Sequence, residues 1–91
     1  MKSLPLRQAE KTLLSAATSS VERRVCAYTF KKDRFISLQV MSDEMIIVEE
    51  YGFRKETSAY PATDKGAIKK ALKEAFAREF PRSHRIYCEE Q

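Results

Sequence analysis

Arg34-Phe35-Ile36-Ser37-Leu38-Gln39-Val40-Met41-Ser42-Asp43-Glu44-Met45-Ile46-Ile47-Val48-Glu49-Glu50-Tyr51 is the stretch on which the fold turns. Its apolar residues alternate with period two, the signature of a strand with one buried face. Ile36, Leu38 and Val40 share one side; Phe35, Ser37, Gln39 and Met41 share the other. Ser42-Asp43 is a tight-turn signal between two such runs. After the turn, Ile46 and Val48 fall together. Met45, Ile47, Glu49, Tyr51 and Phe53 fall on the opposite side. Two antiparallel strands follow.

The pattern extends in both directions. Upstream, Arg23 to Phe30 alternates as well, with Val25 and Ala27 opposed to Cys26, Tyr28 and Phe30; Lys31-Lys32-Asp33 reads as a turn. Downstream, residues 54–60 either prolong the previous strand past Gly52 or form a fourth, since a glycine within a strand pattern marks a bend. Pro61 closes the sheet. Thr63 or Asp64 caps a helix over 64–80, with Ile68, Ala71, Leu72, Ala75, Phe76 and Phe80 on one face. Pro81 ends it. Arg85-Ile86-Tyr87-Cys88 predicts an edge strand over 84–89. At the other end, Ser3 and Pro5 start a helix or arm within 1–20, carrying Leu6, Ala9, Leu13 and Ala16/Ala17 at helical spacing and ended by Thr18-Ser19-Ser20.

The expected fold is therefore a single α+β domain over 1–91. It has a mainly antiparallel sheet of three to five strands, with strands within 23–60. A C-terminal amphipathic helix packs on the sheet, and a short N-terminal helix precedes it. Hydrophobic residues make up 43% of the 91 residues and glycine only two, which suits a folded chain. No internal repeat or linker stands out.

Net charge is +4, unevenly spread. Residues 1–41 carry eight Lys/Arg against three Asp/Glu, and 51–87 carry nine against four. Residues 42–50 hold four acids and no base. Basic regions flanking an acidic hairpin suit phosphate or an acidic partner, and equally a solvated surface. Met1 to Ser20 does not read as a signal peptide, because Arg7, Gln8, Glu10 and Lys11 interrupt its apolar residues. No apolar run reaches the ~18 residues of a membrane span. A cytoplasmic protein without a membrane partner is expected. Cys26 and Cys88 are the two cysteines. They form no disulfide framework, and two free thiols are expected, with one bridge open if the first and last strands are neighbours.

Catalytic chemistry finds little support. His84 is the lone histidine, in a predicted loop between Arg82 and Arg85 with no nucleophile motif beside it. With Cys26 and Cys88 it makes at most three zinc ligands, at no standard spacing, so no metal is expected. Glu49 and Glu50 point to opposite faces and are no preset catalytic pair. Neither a cofactor nor a small-molecule substrate is indicated.

Binding residues are easier to find. The sheet face bearing Phe35, Met41, Met45, Ile47, Tyr51 and Phe53 is too apolar to stay in water, so the N-terminal helix, a second copy or nucleic-acid bases must cover it. In the nucleic-acid reading, Tyr28, Phe35, Tyr51 and Phe53 stack on bases of a single strand, DNA or RNA. Lys31, Lys32, Arg34, Lys69 and Lys73 neutralise phosphate. Arg54 and Lys55 join them if the strand ends meet. The alternative is a protein-interaction or homodimeric assembly module.

The run Arg34-Phe35-Ile36-Ser37-Leu38, then Met45 to Tyr51, then Lys65-Gly66-Ala67-Ile68, loosely resembles the small coactivator-type single-stranded DNA-binding domain, a dimeric curved sheet followed by a helix. The resemblance covers about half the chain and rests on common residue types. The chain departs from that domain in lacking tryptophan, in its N-terminal helix and in a strand after the long helix.

Overall fold

The computed structural model describes residues 2–19, 21–81 and 83–90, and the backbone alone at Lys2; Met1, Ser20, Arg82 and Gln91 lie outside the described residues. In chain order the elements are β1 (Lys2–Pro5), α1 (Leu6–Ala17), β2 (Arg23–Tyr28), β3 (Phe35–Val40), β4 (Met45–Tyr51), β5 (Glu56–Pro61), α2 (Lys65–Glu79) and β6 (Arg85–Glu90). The fold is α+β, with one antiparallel sheet in the order β1-β6-β2-β3-β4-β5.

The sheet has six strands, not three to five. Two short segments account for the difference. Glu56–Pro61 is a strand of its own beyond the 52–55 turn, pairing Ile47 with Ala59 and Glu49 with Thr57. Lys2–Pro5, read as a helix start, is extended and pairs Ser3 with Tyr87. Pro5 stands at the N-cap of α1. The backbone N–H of Leu6 donates to the carbonyl of His84 at 3.2 Å. Because β1 takes the outer position, β6 is an interior strand between β1 and β2, and not the edge expected from the sequence.

Each element forms where its local chemistry asks. The Asp64 carboxylate accepts the N–H of Ala67 at 3.3 Å and starts α2. The β3–β4 turn closes by the Met41 N–H donating to the Met45 carbonyl at 2.9 Å. Val25, Leu38 and Val48 are opposite one another across three strands, as are Ala27 and Ile36. Opposed residues of antiparallel strands share a face. This face is buried under both helices, in one cluster with Ala9, Leu13 and Ala16 of α1 and Ile68, Leu72, Ala75 and Phe76 of α2. Phe76 and Phe80 meet edge to face at 5.1 Å.

Both helices thus lie on the same side. α1 packs on α2, β2, β3 and β6, and the face carrying Phe35, Ile47 and Tyr51 stays uncovered. Among the described residues, no helix is long and apolar enough to cross a membrane.

Candidate nucleic-acid interface

The uncovered face is organised in transverse rows set by the register. Tyr87 opposes Tyr28, Tyr28 opposes Phe35, and Phe35 opposes Tyr51, so four aromatic residues form one row across β6, β2, β3 and β4. The Tyr28 and Phe35 ring centroids are 5.9 Å apart and tilted. Phe35 and Tyr51 lie nearly parallel at 5.3 Å. The next row reads Glu89, Cys26, Ser37 and Glu49. The row after it contains Arg24, Gln39, Ile47 and Ala59.

The middle row carries two acids, Glu89 and Glu49, and continues to Thr57 of β5. Glu49 faces Arg24 at 3.5 Å. The Ser37 hydroxyl points at the same carboxylate at 3.4 Å. Cys26 and Ser37 are buried although they lie on the open face. Burial first, then a hydrogen bond with Cys26, pushes the Tyr28 phenol up to about 12. Cys26 and Cys88 are free and buried. They sit on neighbouring strands, but Cys88 opposes Ala27 and Cys26 opposes Glu89, so they project from opposite faces. No bridge joins them.

The aromatic row lies at the end of the sheet where the 29–34 and 52–55 connections stand near the start of β6. The strand ends do meet, and Arg54 and Lys55 stand in the turn beside the one that holds Lys31, Lys32 and Arg34. Phe30 and Phe53 project from the two turns and are 79% and 76% exposed, more than any other large hydrophobic residue described. Phe30 touches only the rim of the row, 6.0 Å from the Tyr87 ring. Lys31 and Lys32 are exposed. Arg34 is half-buried and donates to the Glu79 carbonyl at 3.3 Å. Arg54 pairs with Glu56 at 3.1 Å, and Lys55 stands 5.1 Å over the Tyr51 ring. The Thr29 hydroxyl, donating to Asp33 at 2.8 Å, leads the contacts that hold that carboxyl below its usual range.

Beneath the 52–55 turn lies a buried charge network. The Glu79 carboxylate, 1% exposed, accepts the N–H of Phe53 at 2.8 Å and that of Arg54 at 3.0 Å. Glu50 accepts two bonds from Arg78, at 2.7 and 3.0 Å. Burial alone would raise the Glu50 carboxyl; the two bonds from the Arg78 guanidinium outweigh it and hold Glu50 below its usual range. A Cβ at Gly52 would collide with Glu79 Oε1 and lie 2.7 Å from Arg34 Cγ, so turn, helix end and arginine are pressed together.

The residues singled out from the sequence therefore divide. Tyr28, Phe35 and Tyr51 share one row. Phe53, Lys31, Lys32 and Arg34 sit at the turns that border it. Lys69 and Lys73 are exposed on α2, in the helical layer behind the sheet. Phe30 and Tyr87 also stand at or in this row without having been among the residues singled out, although Phe30 continues the alternation of Tyr28, and Tyr87 stands between Ile86 and Cys88 in a strand-like run. Among the described residues, no group of three or more His, Cys, Asp or Glu is placed to hold a metal ion. No protein-family model, curated protein or solved structure matches the chain.

Proposed function

We propose that the protein is a small, non-enzymatic, cytoplasmic module that binds single-stranded DNA or RNA at the turn-bearing end of its uncovered sheet face. The observation that carries this reading is the juxtaposition of the Tyr87–Tyr28–Phe35–Tyr51 row with two turns that each expose a phenylalanine beside cations. An unpaired base needs a flat apolar surface, and its phosphate needs a cation within reach. Lys31, Lys32 and Lys55 supply the cations. Phe30 and Phe53 supply open rings, while Phe35 and Tyr51 each turn one face to the other.

In the next row Glu89 brings negative charge and Glu49 already faces Arg24, so the exposed cations near the aromatic row are those of the turns. Phosphate is thereby favoured at the end of the sheet. Lys69 and Lys73 then contribute at long range only, because a strand at the turns does not reach the helical layer.

The test is a fluorescence anisotropy titration with labelled single-stranded DNA, single-stranded RNA and duplex at about 50 and about 200 mM salt. Saturable binding that weakens steeply with salt, with single strands preferred, supports the reading. Absence of binding at the lower salt overturns it.

A homodimeric assembly is the second reading. It is favoured by Met45 and Ile47, which stay on the uncovered face beside Phe35 and Tyr51. Light scattering on concentrated protein decides it: a dimer mass that Phe53→Asp reduces supports assembly, and a monomer mass removes it.

A further inference from the structure

The segments Tyr28-Thr29-Phe30-Lys31-Lys32 and Tyr51-Gly52-Phe53-Arg54-Lys55 have the same pattern: tyrosine, spacer, phenylalanine, two cations. The fold gives them equivalent places. β2 and β4 flank β3, both antiparallel to it, so they run in the same direction. Tyr28 and Tyr51 both oppose Phe35, which puts the two tyrosines at one height. The two tyrosines from which the segments leave the sheet are thus two strand spacings apart, about 10 Å. Their phenylalanines are exposed to nearly the same degree, 79% and 76%.

The two turns reach this common display by different means. The first is closed locally, by the Thr29 N–H donating to the Arg34 carbonyl at 3.1 Å and the Lys32 N–H to the Thr29 carbonyl at 2.9 Å. The second is held from below by Glu79. Different local chemistry arriving at one arrangement marks the arrangement itself as the feature of interest. The pairing of Arg54 with Glu56 does not consume its charge, since each side chain is half exposed and such pairs contribute little.

We infer that the end of the sheet is a duplicated reader with two equivalent subsites, each taking one unpaired base on its phenylalanine and the adjoining phosphate on the cations that follow. This rests on the nucleic-acid reading above and adds to it the number of subsites and the direction of the strand. The nucleic acid runs across the β-strands, from one turn to the next. At 3.4 Å per nucleotide of a stacked strand, about 10 Å is roughly three steps, so a strand of about four nucleotides spans both subsites. A duplex is excluded from this mode because its base faces are already stacked.

The experiment compares wild type, Phe30→Ala, Phe53→Ala and the double variant on labelled oligothymidylates of about 2 and about 12 nucleotides, at about 50 mM salt. Both side chains are exposed, and circular dichroism and thermal melting confirm that the variants stay folded. On the long strand each single substitution weakens binding about 5- to 150-fold, the loss of one stacked base, and the two losses multiply. On the short strand each single substitution costs only about twofold, because the other subsite still serves, and the double variant loses binding. If one phenylalanine carries the whole loss at both lengths, the duplication is overturned while the nucleic-acid reading stands. If wild type binds neither oligomer, nor single-stranded RNA, both fall.

Discussion

The carboxylate of Glu79, at the last position of α2, accepts the main-chain N–H of Phe53 in the β4–β5 turn at 2.8 Å. The next N–H, that of Arg54, is bound by the other oxygen. A helix end thereby fixes a turn that its own sequence does not stabilise. Glu79→Ala leaves two main-chain donors without their acceptor, at about 1–3 kcal/mol each where they stay buried. A lowered urea midpoint with an unchanged slope is expected. An unchanged midpoint would show that water replaces the carboxylate at no cost.

Arg78→Met isolates the Glu50 carboxylate, which is 5% exposed. Breaking a fully buried pair from one side costs about 3–5 kcal/mol, and the part-exposed Arg78 places this pair below that range. The pH dependence follows from the sign of the shift. The folded Glu50 carboxyl is held below its unfolded value. The pair therefore stabilises above the ordinary carboxylate range, and that contribution is lost as pH falls through the folded value. The gap between wild type and Arg78→Met should narrow on acidification. Urea titrations at neutral and acid pH measure it, and a gap that widens in acid would contradict this account.

Gly52 has φ +145, where side chains are rarely accommodated, and a Cβ there meets Glu79 and Arg34. Gly52→Ala should cost about 1–3 kcal/mol in backbone strain, before the collision is counted. It should also shift the Phe53 turn. Thermal melting and a proton–nitrogen correlation spectrum report the two effects, and a variant that melts with wild type would refute the strain argument.

Lys31→Glu with Lys32→Glu should weaken nucleic-acid binding. It should also flatten the salt slope by about 1.4, the equivalent of two phosphates on a single strand. Lys69→Glu with Lys73→Glu changes charge equally, on the helical layer, and should leave the slope nearly unaltered. Equal effects from the two pairs would mean that net charge, not the turn, governs binding.

Tyr28 should titrate above the ordinary tyrosine range, its phenol being raised from 10.0 to about 12 by burial first and by Cys26 next. The folded state then holds a proton that the unfolded state releases, so this contribution to stability is present below pH 10.0 and is lost as pH rises through about 12. An ultraviolet titration of wild type against Tyr28→Phe should remove the most alkaline step. Loss of an earlier step instead would place Tyr28 in water.

The parts of this architecture that depend on local pattern are legible in the sequence. α2 is bounded by Asp64 and Pro81 and has a clear apolar stripe; β3 and β4 alternate cleanly on either side of Ser42-Asp43. The facing of Ile36, Leu38 and Val48 against the helices follows from that alternation. What escapes the pattern is relational. Lys2–Pro5 is too short to show a period, and its strand character comes from β6, more than eighty residues away. Tyr87 joins the aromatic row only because β6 inserts beside β2. Glu79 reads as one more charged residue at a helix end, yet the turn folded over it makes it one of the most buried side chains. The shared order of Tyr28–Lys32 and Tyr51–Lys55 does not stand out as a repeat in the sequence, and it gains meaning only when the register puts Tyr28 and Tyr51 at one height.

The interior position of β6 governs the order in which the sheet can be completed. The hairpins from β2 to β5 are made of near neighbours and can pair as soon as they are synthesised. β1 precedes the other five strands and has β6 as its partner in the sheet. It must wait for β2 to β5 and α2 to be made before its backbone groups are paired, so of the six strands the one made first docks last. Until then the outer edge of β2 stands open, and that interval is when a nascent chain is most exposed to pairing with another.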